Sequence, residues 1–407
     1  MGVLITFINS VQESIVQNHH DYKILIFVSF IISTLSPLLF YFIKSNKSIK
    51  PLPSKLANNK NRSPGKWTPE DYKLPIPKPF EDWDINSTKP IPYRAFKHKY
   101  NVTMGIRSMD PNEWIQLDNE WPKYHALKQK RFKEKGTDVY GTLPEAYDAS
   151  MELILELSNY LSNRYPTLFQ YKNGILKNLY NDEEYNILKP DHDPIYIAAN
   201  LLQDDIAIMI EQPDGQYYLK SGAIALAGFW RFKDKVNLPL SAIHTTGDVP
   251  KYNTHLKKGM EKFFTRLTPE APVVRNNYFI QTDGELDWSS SIGDEKNENV
   301  GWYTAPKATD INQIYYRSER QSVRRLPISG AVVFTIRTYF VPMVDICKEP
   351  YVPIRLLDGI NSWTEDVKEY RGYEKFIDVV KPYLEEKVKE QEAMGYTREN
   401  EVDKYPL

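Results

Sequence analysis

The chain has 407 residues, carries 52 Lys and Arg against 53 Asp and Glu, and contains a single cysteine, Cys347. So even a charge balance argues against a nucleic-acid partner, which normally meets a basic excess or stripe. One cysteine excludes an intrachain disulfide framework, a thiolate zinc site and an iron–sulfur cluster held by this chain alone.

Residues 1–23 form a short N-terminal segment. Residues 24–43 then run without a charge, and about 20 apolar residues make a helix long enough for a bilayer core of roughly 30 Å. Lys23 alone stands before this stretch against Glu13 and Asp21, whereas Lys44, Lys47, Lys50, Lys55, Lys60, Arg62 and Lys66 follow it. The positive-inside rule therefore predicts a single-pass anchor with the long C-terminal part in the cytosol. The sequons at Asn46, Asn86 and Asn101 point to the opposite, lumenal face.

Residues 44–90, rich in Pro, Lys and Asn, read as a linker. Trp67 and Trp83 are expected to seat its second half on the domain. The domain is predicted over 91–395, followed by a tail, 396–407. Ala146, Ala149, Leu153, Leu157 and Leu161 recur at helical spacing and predict a helix over 144–164. A meander is predicted from strands at 206–211, 216–220 and 223–230, separated by Pro-Asp-Gly and Ser-Gly turns. A helix is expected at 255–267, and strands at 277–281 and 331–340. The charged stretch 362–393 reads as helical, interrupted at Pro382. Helices around an antiparallel sheet make an α+β fold.

No phosphate-binding glycine loop, H-E-x-x-H or G-x-S-x-G motif is present. His244 follows the apolar run 238–243. A neutral imidazole at the rim of an apolar pocket suits haem iron or another metal, and equally suits a structural histidine. Arg317, Arg320, Arg324 and Arg325 fall within nine residues, with Arg337 in the strand beyond. Planar guanidinium groups suit capture of carboxylates or phosphates, or internal acidic partners. Two D-x-D triplets, Asp82-Trp83-Asp84 and Asp191-His192-Asp193, match the carboxylate pairs that hold a divalent ion in metal-dependent glycosyltransferases, a pattern short enough to recur by chance.

Four segments carry a resemblance. IPYRAFKHKYNVTMGIRSMDPNEWIQLD (91–118), FWRFKDKVNLPLSAIH with VPKY (229–252), VVRNNYFIQ (273–281) and RSERQSVRRLPISGAVVFTIRTY (317–339) together resemble the haem-dependent oxidative N-demethylase alpha-subunit-like family, most closely its fungal branch. The likeness runs in order from about residue 75 to 385. It implies a PAS-like fold, a five-stranded antiparallel sheet with flanking helices around haem b. The implied activity is oxidative demethylation of a small amine with O2 and electrons from a separate reductase. Residue by residue, the resemblance makes His244 the axial ligand and Arg320, Arg324 and Arg325 partners for the haem propionates. Glu319 and Gln321 become candidates for the distal pocket. Many relatives read Ile-His-x-Pro-Val-Pro, whereas here Thr245-Thr246-Gly247-Asp248 separates His244 from Val249-Pro250. Two other classes remain open at this stage: a PAS-like sensor that holds haem or a small molecule without turnover, and a lumenal type II glycosyltransferase using Asp191 and Asp193.

Overall fold

The computed structural model describes residues 59, 61–97 and 99–401. The expected anchor at 24–43 lies outside the described residues, and among these no helix is long and apolar enough to cross a membrane.

A seven-stranded antiparallel sheet forms the centre, in the order β1-β8-β9-β10-β6-β7-β2. Its strands are β1 (Arg107–Ser108), β2 (Tyr140–Thr142), β6 (Asp205–Glu211), β7 (Tyr217–Ala223), β8 (Val273–Gln281), β9 (Tyr315–Arg325) and β10 (Val332–Pro342). β1 and β2 are short edges, so five long strands make up the middle. A second sheet, β3 (Phe169–Lys172), β4 (Ile175–Asn178) and β5 (Glu184–Asn186), turns at Asn173-Gly174, both with positive φ, as a two-residue hairpin demands.

The α+β expectation holds, with differences of detail that have local causes. The arginine-rich segment is itself the central strand β9, paired with β10 along its whole length from Tyr315↔Pro342 to Arg325↔Val332. No third meander strand forms at 223–230. There the chain hooks over Asp205, whose carboxylate accepts from Ala225 N at 2.9 Å and Leu226 N at 3.0 Å. The helix expected at 144–164 begins at Tyr147, after a 3₁₀ turn. The C-terminal helix Ile377–Ala393 continues through Pro382 without a break.

One face of the sheet is covered by α1 (Trp121–Lys135), α2 (Tyr147–Arg164) and α3 (Pro194–Leu201), through a core that includes Trp121, Leu153, Leu157, Ile195, Ile206 and Val333. The opposite face meets α4 (Leu240–Thr245) and α5 (Lys257–Arg266) through Ala207, Met209, Val323, Val332, Tyr252, Met260 and Phe264. The later helices α6 (Met343–Ile346), α7 (Val352–Asn361), α8 (Glu365–Tyr370) and α9 (Ile377–Ala393) gather with Tyr278, Ile280 and Tyr316 in a third apolar cluster.

Residues 61–90 lie against this body. Trp83 is buried and donates from Nε1 to Leu117 O at 2.8 Å. Trp67 donates to Pro327 O in the β9–β10 hairpin at 2.9 Å and lies over the Arg325 guanidinium, 4.8 Å away. Gly330 in that hairpin has φ +71°, and a Cβ there would collide with the Trp67 ring.

Two tests follow from this packing. Gly330→Ala is expected to cost about 2 kcal/mol, since a left-handed non-glycine residue is strained and Trp67 must also shift; a lower thermal midpoint reads it. Asp204 is fully buried, neither of its carboxylate oxygens has a hydrogen-bond partner, and burial pushes its pKa up to about 6. Its folded pKa exceeds the unfolded value of about 3.9, so its favourable contribution is complete below that value and lost as pH rises through the folded pKa. Asp204→Asn should therefore gain stability over the parent by roughly 2 kcal/mol more at pH 7.5 than at pH 4.5, measured by denaturant titration at both pH values.

Candidate functional site

His244 lies near the end of α4, a six-residue helix entered through Pro239. Its Nδ1 is 2.8 Å from Leu240 O, one turn back. A carbonyl only accepts, so Nδ1 carries the proton, and in the neutral ring Nε2 keeps its lone pair. Nε2 has no partner among the described residues. Burial lowers the His244 pKa; the Leu240 hydrogen bond opposes this, and the Arg275 and Lys235 cations add to it. In its neutral form the ring has one nitrogen open to coordination, and it stacks on Tyr252 at 4.9 Å between centroids and 11° between planes.

On the same face of the sheet, strands β8 and β9 present a polar group. Strand alternation puts Glu319, Gln321 and Val323 of β9 on the face where Val323 joins the α4–α5 cluster, and Arg275 of β8 pairs with Gln321 across the strands. Gln321 Nε2 donates to Glu319 Oε2 at 2.9 Å, leaving Gln321 Oε1 buried and unpartnered. Burial raises the Glu319 pKa against the pull of Arg317, the Gln321 hydrogen bond, Arg275 and Arg371. Arg275 is the unusual member. Its Nε is shielded from solvent without a partner, and its guanidinium makes no hydrogen bond or ion pair among the described residues. Burial lowers its pKa, with Glu319 the leading opposing charge. Arg275 is half-buried overall, so its terminal nitrogens stay open to solvent or to an arriving anion, and no described carboxylate touches them.

A family model described as haem-dependent oxidative N-demethylase, alpha subunit-like, matches residues 105–381. The chain belongs to this family. The match includes His244, Arg275, Glu319 and Gln321, and the family's name carries haem dependence. The residues present fit such a group. One histidine can hold a metal only if other ligands arrive with it, and among the described residues no three His, Cys, Asp or Glu side chains gather as a bare-ion site. A haem macrocycle brings those ligands, and the orphaned Arg275 suits one of its carboxylates.

The other predicted residues sit elsewhere. Arg320 and Arg324 alternate onto the α1–α3 face, away from His244. Arg320 donates to Trp114 O at 3.0 Å and to Glu113 O. Arg324 pairs with Glu156 of α2 at 2.5 Å and lies 4.3 Å over the Trp114 ring. Arg325 shares the His244 face but donates to Leu267 O, Gly330 O, Phe264 O and Tyr217 Oη. In this structure all three are engaged by groups of the protein itself, Arg320 and Arg325 by hydrogen bonds and Arg324 by its ion pair. One aspartate of each triplet has a local structural role. Asp193 caps α3 through Ile195 N and accepts from Thr142 Oγ1, while Asp84 closes a turn with Asn86 N and Ser87 Oγ.

Sequence reading passed over Arg275 and Tyr252. Both lie in segments that carried the resemblance, and the signal for Arg275 was a lone charge inside a strand-forming run, Val273–Gln281.

A paired measurement separates the two kinds of arginine. Arg324→Gln is expected to destabilise the ligand-free chain by about 3 kcal/mol, because it leaves the solvent-shielded Glu156 Oε2 without its cation. Arg275→Gln should leave the thermal midpoint unchanged or raise it, since it removes a charge without a partner.

Proposed function

We propose that this chain is a haem-dependent oxidoreductase that oxidatively demethylates a small amine, using O2 and electrons from a separate reductase. The observation that carries the reading is His244: a half-buried imidazole with Nδ1–H tied to Leu240 O and Nε2 free, on the face that holds Arg275, Glu319 and Gln321. A ring nitrogen fixed through the opposite nitrogen is the usual arrangement of a histidine ligand. When bound, haem b would supply the activation of O2.

The chain's own residues would divide the remaining work. His244 Nε2 would hold the haem iron, and Arg275 would offer a cation to one of the haem carboxylates. A secondary ammonium has two N–H donors, and the Glu319–Gln321 pair offers two acceptors, a Glu319 carboxylate oxygen and the orphaned Gln321 Oε1. Burial holds Glu319 towards its neutral form until a cation arrives, so an ammonium would bind with recovery of the carboxylate charge. The overall balance consumes one O2, two electrons and two protons, and releases the demethylated amine, formaldehyde and water. With one cysteine the chain holds no iron–sulfur relay of its own, hence the separate reductase. We further read the five long strands and their helices as PAS-like, and residues 24–43 as an anchor that leaves the domain on the cytosolic side.

The test is the visible spectrum of the full chain produced with haem supplied. A Soret band that is lost or shifted in His244→Ala supports the reading, as does dimethylamine-stimulated, reductant-dependent O2 uptake with formaldehyde release. A well-folded, haem-supplied chain with no Soret band, or a band indifferent to His244→Ala, would overturn it. Haem binding without amine-dependent uptake would move the protein into the sensor class.

A further inference from the structure

The loop after His244 reverses the chain within a few residues. Val249 N donates to His244 O and Asp248 N to Thr245 O, each at 3.2 Å. Asp248 and Lys251 take left-handed backbone conformations, φ 52° and 56°. These turns bring Tyr252 back over the imidazole, near-parallel at 11° and 4.9 Å between ring centroids. Tyr252 is 2% exposed and opens a single π-helical turn, Tyr252–Leu256. Turns of that kind are rare in helices and concentrate where a side chain must be placed for function. The Tyr252 hydroxyl is buried and has no hydrogen-bond partner, so its ring, not its polar end, accounts for its position.

We propose that Tyr252 is a positioning residue for His244, its ring fixing the plane of the imidazole while Leu240 O fixes the tautomer. The inference rests on the reading of His244 as the iron ligand. The two constraints are complementary. The Nδ1–H bond restrains one atom of the imidazole, and a stacked ring restrains its tilt, so together they give the Nε2 lone pair one direction. Orientation of that kind belongs to the groups behind a metal ligand. The extended Thr-Thr-Gly-Asp loop is then the device that carries Tyr252 over the ring. The longer connection keeps the histidine clamped and does not displace it.

Tyr252→Phe and Tyr252→Leu in the full chain test this. In the ligand-free protein, ¹⁵N shifts of the histidine rings, assigned with His244→Ala, report the His244 tautomer at alkaline pH. Wild type and Tyr252→Phe should both show the Nδ1–H form, and Tyr252→Leu an averaged signal. In the haem-loaded protein, transfer of haem to excess apomyoglobin should be about tenfold faster for Tyr252→Leu and within about twofold for Tyr252→Phe. Equal behaviour of Tyr252→Leu and wild type in both measurements would overturn the proposal. So would a Tyr252→Phe variant as impaired as Tyr252→Leu, which would make the hydroxyl the acting group. A chain that took up no haem would sink the functional reading, and the ring shifts alone would then decide the role of Tyr252.

Discussion

The architecture hangs on a polar strand buried at the middle of a sheet. β9 carries Arg317, Arg320, Arg324 and Arg325 at no more than 1% exposure. Charges in such a position are tolerable only when the surroundings supply acceptors. The fold supplies them from several directions. Arg317 reaches Leu286 O and Leu226 O; Arg320 reaches Trp114 O; Arg324 reaches Glu156; Arg325 reaches the end of α5 and the hairpin. In β10, Arg337 pairs with Asp118 at 2.5 Å between the Tyr124 and Tyr339 rings. Each guanidinium ties a separate loop or helix to the sheet. The arginines therefore act as joints that decide where the flanking segments sit.

Against that background Arg275 stands out. Each β9 arginine has at least one acceptor or ion-pair partner within the fold, whereas the neighbouring β8 arginine has none among the described residues, on the face where His244 keeps a free Nε2. The contrast separates arginines that build the fold from one available to something the fold receives. The cluster at 317–325 is dense because a central strand has two faces to secure.

Much of the fold was legible because its causes are local. The apolar spacing of 144–164 gave α2 almost entire, and the Pro-Asp-Gly turn gave the β6–β7 hairpin. β9 was not recognisable as a strand because its alternation is polar against polar, and a pattern method looks for apolar against polar. The irregular path after β7 depends on Asp205, which accepts from two backbone amides of the following loop, a contact that no spacing rule reveals. At the site, His244 was legible from its apolar approach and the family pattern. Glu319 and Gln321 came from the family motif alone. Which arginines faced His244 depended on strand parity and register, fixed by the pairing of β8, β9 and β10.

The seating of residues 61–90 sets the size of the independent folding unit. The family match opens at residue 105, yet the Trp83 ring fills part of the α1–α3 core, Phe80 N donates to Arg164 O, and Arg62 pairs with Glu211 at the β6–β7 hairpin. A chain trimmed to the match would open a tryptophan-sized hole on one face of the sheet. It would also strip the aromatic cover from the Arg325 guanidinium at the hairpin. The smallest piece that keeps its core closed starts well upstream of the homologous segment, at the residues that seat Trp67 and Trp83.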